Sequence, residues 1–144
     1  MGESNSKQLE VVGLDLGDRW TSWCHCAAGG EVVSESRVRT QQEALSRQFS
    51  AEPRRRILLE TGTHSLWVAR HLRSIGHEVY VLHARSLRAI TQSRRKTDRL
   101  DARVLAQLGA TTSVAVLHTV DVIDESGAAQ MLLEMHQGFD IIDS

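Results

Sequence analysis

The stretch VVGLDLGDRWTSWCHCAAGGEVVSESR, Val11–Arg37, decides the fold. A near-continuous apolar run from Gln8 to Leu16 reads as a buried strand, and Trp20 to Ala28 reads as a second. Gly29-Gly30 then predicts a two-residue hairpin turn into a third strand, from Glu31 to about Arg37. The stretch is therefore an antiparallel meander. Working outward, Thr40 followed by Glu43 makes a capping box for a helix over Gln41–Phe49, which ends before Pro53. Arg56–Glu60 reads as a short buried strand, Thr61–His64 as a turn, Ser65–Ile75 as a helix stopped by Gly76, and Glu78–Leu82 as a fifth strand. Helices are predicted at about Arg85–Gln92 and over Asp98–Leu108, with Gly109 as a C-cap. The fold class is thus α/β: a mixed sheet of a three-strand antiparallel meander plus two parallel strands, with flanking helices. Right-handed crossovers put the fourth strand beside the first.

With 144 residues, 41% hydrophobic and 24% charged, the chain has the composition and length of one ordinary globular domain. No apolar run approaches the roughly 18 residues needed to span a bilayer, and MGESNSKQ lacks the apolar core of a signal peptide. A cytoplasmic protein with no membrane partner is expected. Cys24 and Cys26 are too few and too close for a disulfide framework. In a strand their thiols share a face while His25 points away, so Cys24-His25-Cys26 reads as plain strand rather than a metal site.

The net charge of −1 hides a split, because all 17 Lys and Arg fall within residues 1–109 with 12 acids, a net of +5, whereas residues 110–144 carry 6 acids and no Lys or Arg. Residues 1–8 are expected to be a disordered tail, 9–109 the folded unit, and 110–144 an acidic tail. In that tail SVAVLHTVDVID reads as a strand by alternation and GAAQMLLEMHQG as a helix. Seven cations (Arg85, Arg88, Arg94, Arg95, Lys96, Arg99, Arg103) lie within nineteen residues, a density suited to a phosphate backbone. A solvated helix face would show the same run.

Four carboxylates give that run a chemical context. Asp15 lies near the end of the first strand and Glu60 closes the fourth, so neighbouring parallel strands present both at one sheet edge. Lys96–Leu108, KTDRLDARVLAQL, reads as an amphipathic helix with Leu100, Val104, Leu105 and Leu108 on one stripe and Asp101 in its middle. A buried, unpaired carboxylate there needs an arginine, a set of donors or a metal ion. Asp98, three residues before Asp101, shares its face at a Cβ separation of about 5–6 Å. Two divalent cations would neutralise such a quartet and clamp a phosphodiester, and oxygen-only ligation favours Mg²⁺ or Mn²⁺ over zinc. Each acid has a plainer alternative: Asp15 as a turn residue, Glu60 as a partner of Arg54–Arg56, Asp98 as a helix N-terminal charge, and Asp101 as a partner of Arg99 or Arg103. The order and placement of Asp, Glu, Asp, Asp are what a ribonuclease-H-like nuclease requires.

VVGLDLGDRW, with the ETGTHS turn, the GHEV strand and the K-T-D-R-x-D-A motif in order, resembles the N-terminal RuvC-like domain of the DEDD transposases of bacterial insertion sequences, the insertion sequence one-ten family. The resemblance covers about residues 10–109. It implies a ribonuclease-H-like fold, Asp15, Glu60, Asp98 and Asp101 as catalytic metal-binding acids with Mg²⁺ or Mn²⁺, and nucleic-acid contacts from the basic helices. DNA is the implied partner, with a structured guide RNA as a second, and full-length members are expected to be homo-oligomers. A full-length member continues into a second domain with a catalytic serine, whereas residues 110–144 are expected to be atypical for the family, and Ser113, Ser126 and Ser144 have no motif context for that role. A truncated or rearranged copy, incomplete as an enzyme on its own, is therefore expected. The alternatives are a non-catalytic nucleic-acid-binding remnant and a RuvC-like junction-resolving nuclease. VGLDLGDRWTS also resembles the phosphate loop of the actin and sugar-kinase type, but those enzymes need two lobes and a second acidic glycine motif. His64-Ser65 reads as turn and N-cap rather than a nucleophile pair, and Trp20, Trp23 and Trp67 as packing residues rather than base-stacking platforms.

Overall fold

A computed structural model describes residues 9–50, 53–83, 85–86 and 100–122. Among the described residues, elements run in the order β1 (Val11–Leu16), β2 (Trp20–Cys26), β3 (Val32–Arg39), α1 (Gln42–Phe49), β4 (Arg56–Glu60), α2 (Ser65–Ser74), β5 (Glu78–Leu82), α3 (Ala102–Thr111) and α4 (Val114–Val120). The sheet order is β3-β2-β1-β4-β5, with β1–β2 and β2–β3 antiparallel and β1–β4 and β4–β5 parallel. The meander and the crossover expected from the sequence are both present. Of the helix expected over Arg85–Gln92, only Arg85 and Ser86 are described, and both are helical. The expected tail over residues 1–8 and the helix GAAQMLLEMHQG lie outside the described residues.

Strand alternation sends successive side chains to opposite faces, and the helices sort accordingly. On one face Val12, Leu14, Ile57, Leu59, Val79 and Val81 pack with Leu45 and Phe49 of α1 and with Val68, Ala69 and Leu72 of α2. On the other, Val11, Cys24, Cys26, Leu58, Tyr80 and Leu82 pack with Ala102, Leu105 and Ala106 of α3 and with Leu117 of α4. Gly13 belongs to this second face. A Cβ there would collide with the carbonyl oxygen of Ala102 and stand 2.5 Å from the amide nitrogen of Ala106. Its bare Cα is what lets α3 lie directly on β1.

The structure corrects several expected boundaries. The β2–β3 connection runs from Ala27 to Glu31, with a register shift at His25/Cys26 and Gly30 at φ 100°, so it is longer than the two-residue turn. Thr40 does not cap α1. Gln41 holds that position without a side-chain bond, and the Thr40 hydroxyl instead donates to the Gly17 carbonyl at 2.8 Å and meets the Thr21 hydroxyl at 2.8 Å. Thr40 thereby ties the chain after β3 to the loop that follows β1. Gly109 is not a C-cap either: α3 runs to Thr111, and a Cβ on Gly109 would press on Val11 and Leu58 at 2.6–2.7 Å.

Residues 113–124, expected as a strand, contain helix α4, entered through Ser113, whose hydroxyl accepts from the Val116 amide at 3.3 Å. The segment is fastened to the sheet just beyond. Asp121 accepts from the Val81 amide at 2.9 Å and from Arg73 at 3.1 Å, and the Val122 amide donates to the Val81 carbonyl at 2.9 Å. Breaking a fully buried ion pair costs about 3–5 kcal/mol. The Asp121 side chain is 1% exposed but that of Arg73 is 33% exposed. Asp121→Asn is therefore expected to cost less, about 2 kcal/mol, seen as a melting temperature roughly 4–8 °C lower.

Candidate active site

Parallel pairing of β1 with β4 sets Leu14 opposite Leu59, so Asp15 and Glu60 follow one residue later on neighbouring strands. By alternation both lie on the α3 face, and both are partly buried. A small cavity of about 200 Å³ between the strand ends is lined by Asp15, Glu60, Asp18, His64 and Leu100, among others. The Leu100 amide donates to Glu60 Oε1 at 3.3 Å. This bond ties the approach to α3 to the end of β4.

Asp101 comes next, but not in the setting its period suggested. It is an exposed N-cap, extended at φ −80° and ψ 173°, and its Oδ1 accepts from the Val104 amide at 2.9 Å. The first amides of a helix have no partner within it, and a carboxylate at the cap satisfies one of them. Because α3 begins only at Ala102, its buried stripe is Ala102, Leu105, Ala106 and Gly109, whereas Val104 is 41% exposed. Asp101 thus bears no burial cost of the kind the amphipathic pattern implied. It lines a second, larger cavity of about 670 Å³ together with Asp15, Ser22, Glu35, Arg37 and Arg103. Asp15 lines both cavities.

Asp15 thus shares one cavity with Glu60 and the other with Asp101, and Asp98 lies outside the described residues. The donor set is all oxygen, which suits a hard divalent ion. Glu60 and Asp101 each commit one oxygen to a backbone amide, which fixes the carboxylate, and among the described residues no hydrogen bond engages Oε2 or Oδ2. Among the described residues, no three His, Cys, Asp or Glu side chains stand close enough to hold an ion between them. The arginines that could have paired with Glu60 are engaged elsewhere: Arg54 and Arg56 pair with Glu78 at 3.9 and 2.6 Å, and Arg55 with Glu10 at 3.7 Å.

Of the seven basic residues, Arg85 and Arg103 are described and both are exposed, whereas Arg88, Arg94, Arg95, Lys96 and Arg99 lie outside the described residues. Arg103 forks onto Glu35, Nε to Oε2 at 2.8 Å and Nη2 to Oε1 at 3.1 Å. That guanidinium holds the Glu35 carboxyl below its ordinary range, and Glu35 in turn raises Arg103. The fork that would grip a phosphate is directed at the protein.

Cys24 and Cys26 share the α3 face with their sulfurs 4.0 Å apart, and His25 turns to Glu10 at 2.7 Å on the other side. Burial, then the neighbouring Cys26 and Glu35, pushes the Cys24 thiol up to about 12. It is a protonated packing group at neutral pH. Two features escaped the sequence reading. The His64 ring is held between the indole N–H of Trp67, which donates to Nδ1 at 3.0 Å, and Asp18, 3.1 Å from Nε2, so the ring proton sits on Nε2. A His and a Trp three apart, four residues after Glu60, was the available signal. Trp20, expected to be packed, is 38% exposed beneath Arg37 and Arg39. Ser65 closes the turn before α2 by donating to the Gly62 carbonyl at 2.9 Å.

The model of a transposase family, the DEDD transposases of the IS110 type, matches residues 12–137. The chain belongs to this DEDD transposase family. The match covers both strands of the acid site and α3, and it continues through α4, further than the motifs at residues 10–109 reach. The sheet is the ribonuclease-H-like one that the family requires, and the chain carries the transposase catalytic domain. No curated protein gives a significant match to the chain. Among the described residues of this transposase domain, no helix is long and apolar enough to cross a membrane.

Proposed function

We propose that this chain cleaves and joins DNA strands in transposition, with Asp15, Glu60, Asp98 and Asp101 holding Mg²⁺ or Mn²⁺ beside the two cavities that Asp15 lines. The reading rests above all on the Leu100–Glu60 bond, which couples the start of α3, and with it Asp101, to the strand end beside Asp15. Glu60 and Asp101 serve twice, orienting the backbone through one oxygen and presenting the other to a cation. Bound divalent ions neutralise a phosphodiester and favour in-line displacement. The bond from Thr40 to the Gly17 carbonyl steadies the loop after Asp15, and the Asp18–His64–Trp67 chain steadies the turn after Glu60. The basic run from Arg85 to Arg99 meets the DNA backbone. A structured guide RNA, homo-oligomeric assembly and action in the cytoplasm belong to the same proposal, on the family resemblance.

Asp101→Asn tests the acid assignment with little disturbance of the helix, since asparagine caps about as well as aspartate. In the full chain, Mn²⁺ is expected to raise the melting temperature. At about 100 times the dissociation constant, a ligand of the native state adds about 2.7 kcal/mol, which for a domain of this size is about 5–10 °C. In Asp101→Asn most of that rise is expected to vanish while the metal-free melting temperature stays within about 2 °C of the parent. Equal Mn²⁺ responses in the two proteins would overturn the assignment.

A further inference from the structure

The register of the sheet extends the acid site sideways. Asp15 pairs with Ser22, and Ser22 with Arg37, so a single row crosses β1, β2 and β3 on the α3 face. With strands about 4.8 Å apart, the Arg37 backbone lies about 10 Å from that of Asp15. Arg37 also lines the larger cavity with Asp15 and Asp101. The next position of the same face is occupied by Trp20 opposite Arg39. The Arg37 guanidinium sits 4.1 Å from the centroid of the Trp20 ring and that of Arg39 5.1 Å, and all three residues are exposed.

Among the described residues neither Arg37 nor Arg39 forms an ion pair, whereas Arg54, Arg56, Arg73 and Arg103 all do. Two guanidinium groups held against one indole, with no ion pair among the described residues, offer a place for an anion from outside. Stacking on the indole occupies the flat face of a guanidinium and leaves its N–H donors at the edge, in the fork that suits phosphate. It also removes rotamer freedom before any ligand arrives, which lowers the ordering cost of binding.

We infer that Trp20, Arg37 and Arg39 form a phosphate clamp for the DNA strand that runs into the acid site, gripping its backbone a few nucleotides from the scissile bond. The clamp residues come from the β2–β3 hairpin of the meander, and Arg37 shares the larger cavity with Arg103. The clamp rests on the proposed function for the identity of the strand, but its charge and stacking stand without it.

Fluorescence anisotropy of the full chain with a short labelled single-stranded DNA, over a salt series, tests the clamp. Each lost phosphate contact lowers the slope of log K against log salt by about 0.7 for a single strand, so Arg37→Ala/Arg39→Ala is expected to lower it by about 1.4 and to weaken binding about tenfold at low salt. Arg37→Lys/Arg39→Lys is expected to keep the slope but recover only part of the affinity, because an ammonium does not stack as a plate. Arg47→Ala, an exposed cation of α1 on the opposite layer, controls for net charge and is expected to change the slope little. An alanine pair that melts like the parent yet binds DNA with the parental affinity and slope would overturn the clamp, as would a change confined to self-association. The Mn²⁺ response separates the two proposals. Loss of DNA binding in the arginine pair with no effect of Asp101→Asn on Mn²⁺ leaves the clamp and removes the metal site, and the reverse pattern removes the clamp alone.

Discussion

Gly13→Ala is expected to lower stability by about 3 kcal/mol or more, at the upper end of what inserting a methyl group into a packed interior costs. The reason is the identity of the obstacle. The added Cβ would meet the Ala102 carbonyl and the Ala106 amide nitrogen, which are helix backbone, and Leu105 Cβ at 2.9 Å. A flexible side-chain tip would swing away, but helix backbone moves only if α3 lifts as a body. Lifting α3 exposes Leu105 and Ala106, both fully buried against Cys24, Cys26 and Leu58. A thermal melt is expected to show a fall of roughly 6–12 °C, and a melting temperature unchanged within about 2 °C would contradict the close packing. The site suffers with the fold, since Asp101 caps the same helix. Gly13→Ala is therefore expected to weaken the Mn²⁺ response as well, although no acid has been altered.

Gly13 also shows how far the sequence could be read. Apolar runs and turn residues suffice for the strand order, because β1, β4 and β5 are buried on both faces and tolerate little but aliphatic residues. Asp15 and Glu60 were legible for the same reason: each is the first carboxylate after such a run, and parallel pairing does the rest. That Asp101 would lie near Asp15 was legible, but not its role as the cap of α3. Hydrophobic period alone does not say where a helix begins, and taking the helix back to Asp98 turned an exposed cap into an apparent buried charge. The alternation of Val114, Val116 and Val120 misled in the same way, since in α4 only Leu117 is buried and the valines were never a sheet face. Thr40 carried a capping-box signature but found better partners across the loop at Gly17 and Thr21. Trp20, Arg37 and Arg39 are separated by a whole hairpin in sequence and meet only through the β2–β3 register. No local pattern could bring them together.

Asp15→Asn carries the largest expected effect on chemistry, about 10³-fold on Mn²⁺-dependent nicking of plasmid DNA by the full chain, taking several kcal/mol for metal-assisted stabilisation of the transition state and 1.36 kcal/mol per tenfold. Asparagine keeps the size of the side chain and one oxygen, so the strand end and both cavities it lines are expected to keep their form. What is lost is one negative charge at the position the two cavities share. Glu60 and Asp101 each have one oxygen engaged by a backbone amide, so neither is placed to make up that charge. DNA affinity and its salt dependence are expected to stay near the parental values, because the cations of the basic run and of the β2–β3 edge are untouched. That combination distinguishes a chemical role from a packing one: Gly13→Ala loses stability and metal response together, whereas Asp15→Asn loses the metal response and the cleavage while the chain still melts and binds DNA as before. Parental cleavage by Asp15→Asn would mean that the cavities Asp15 lines are not where the strand is cut.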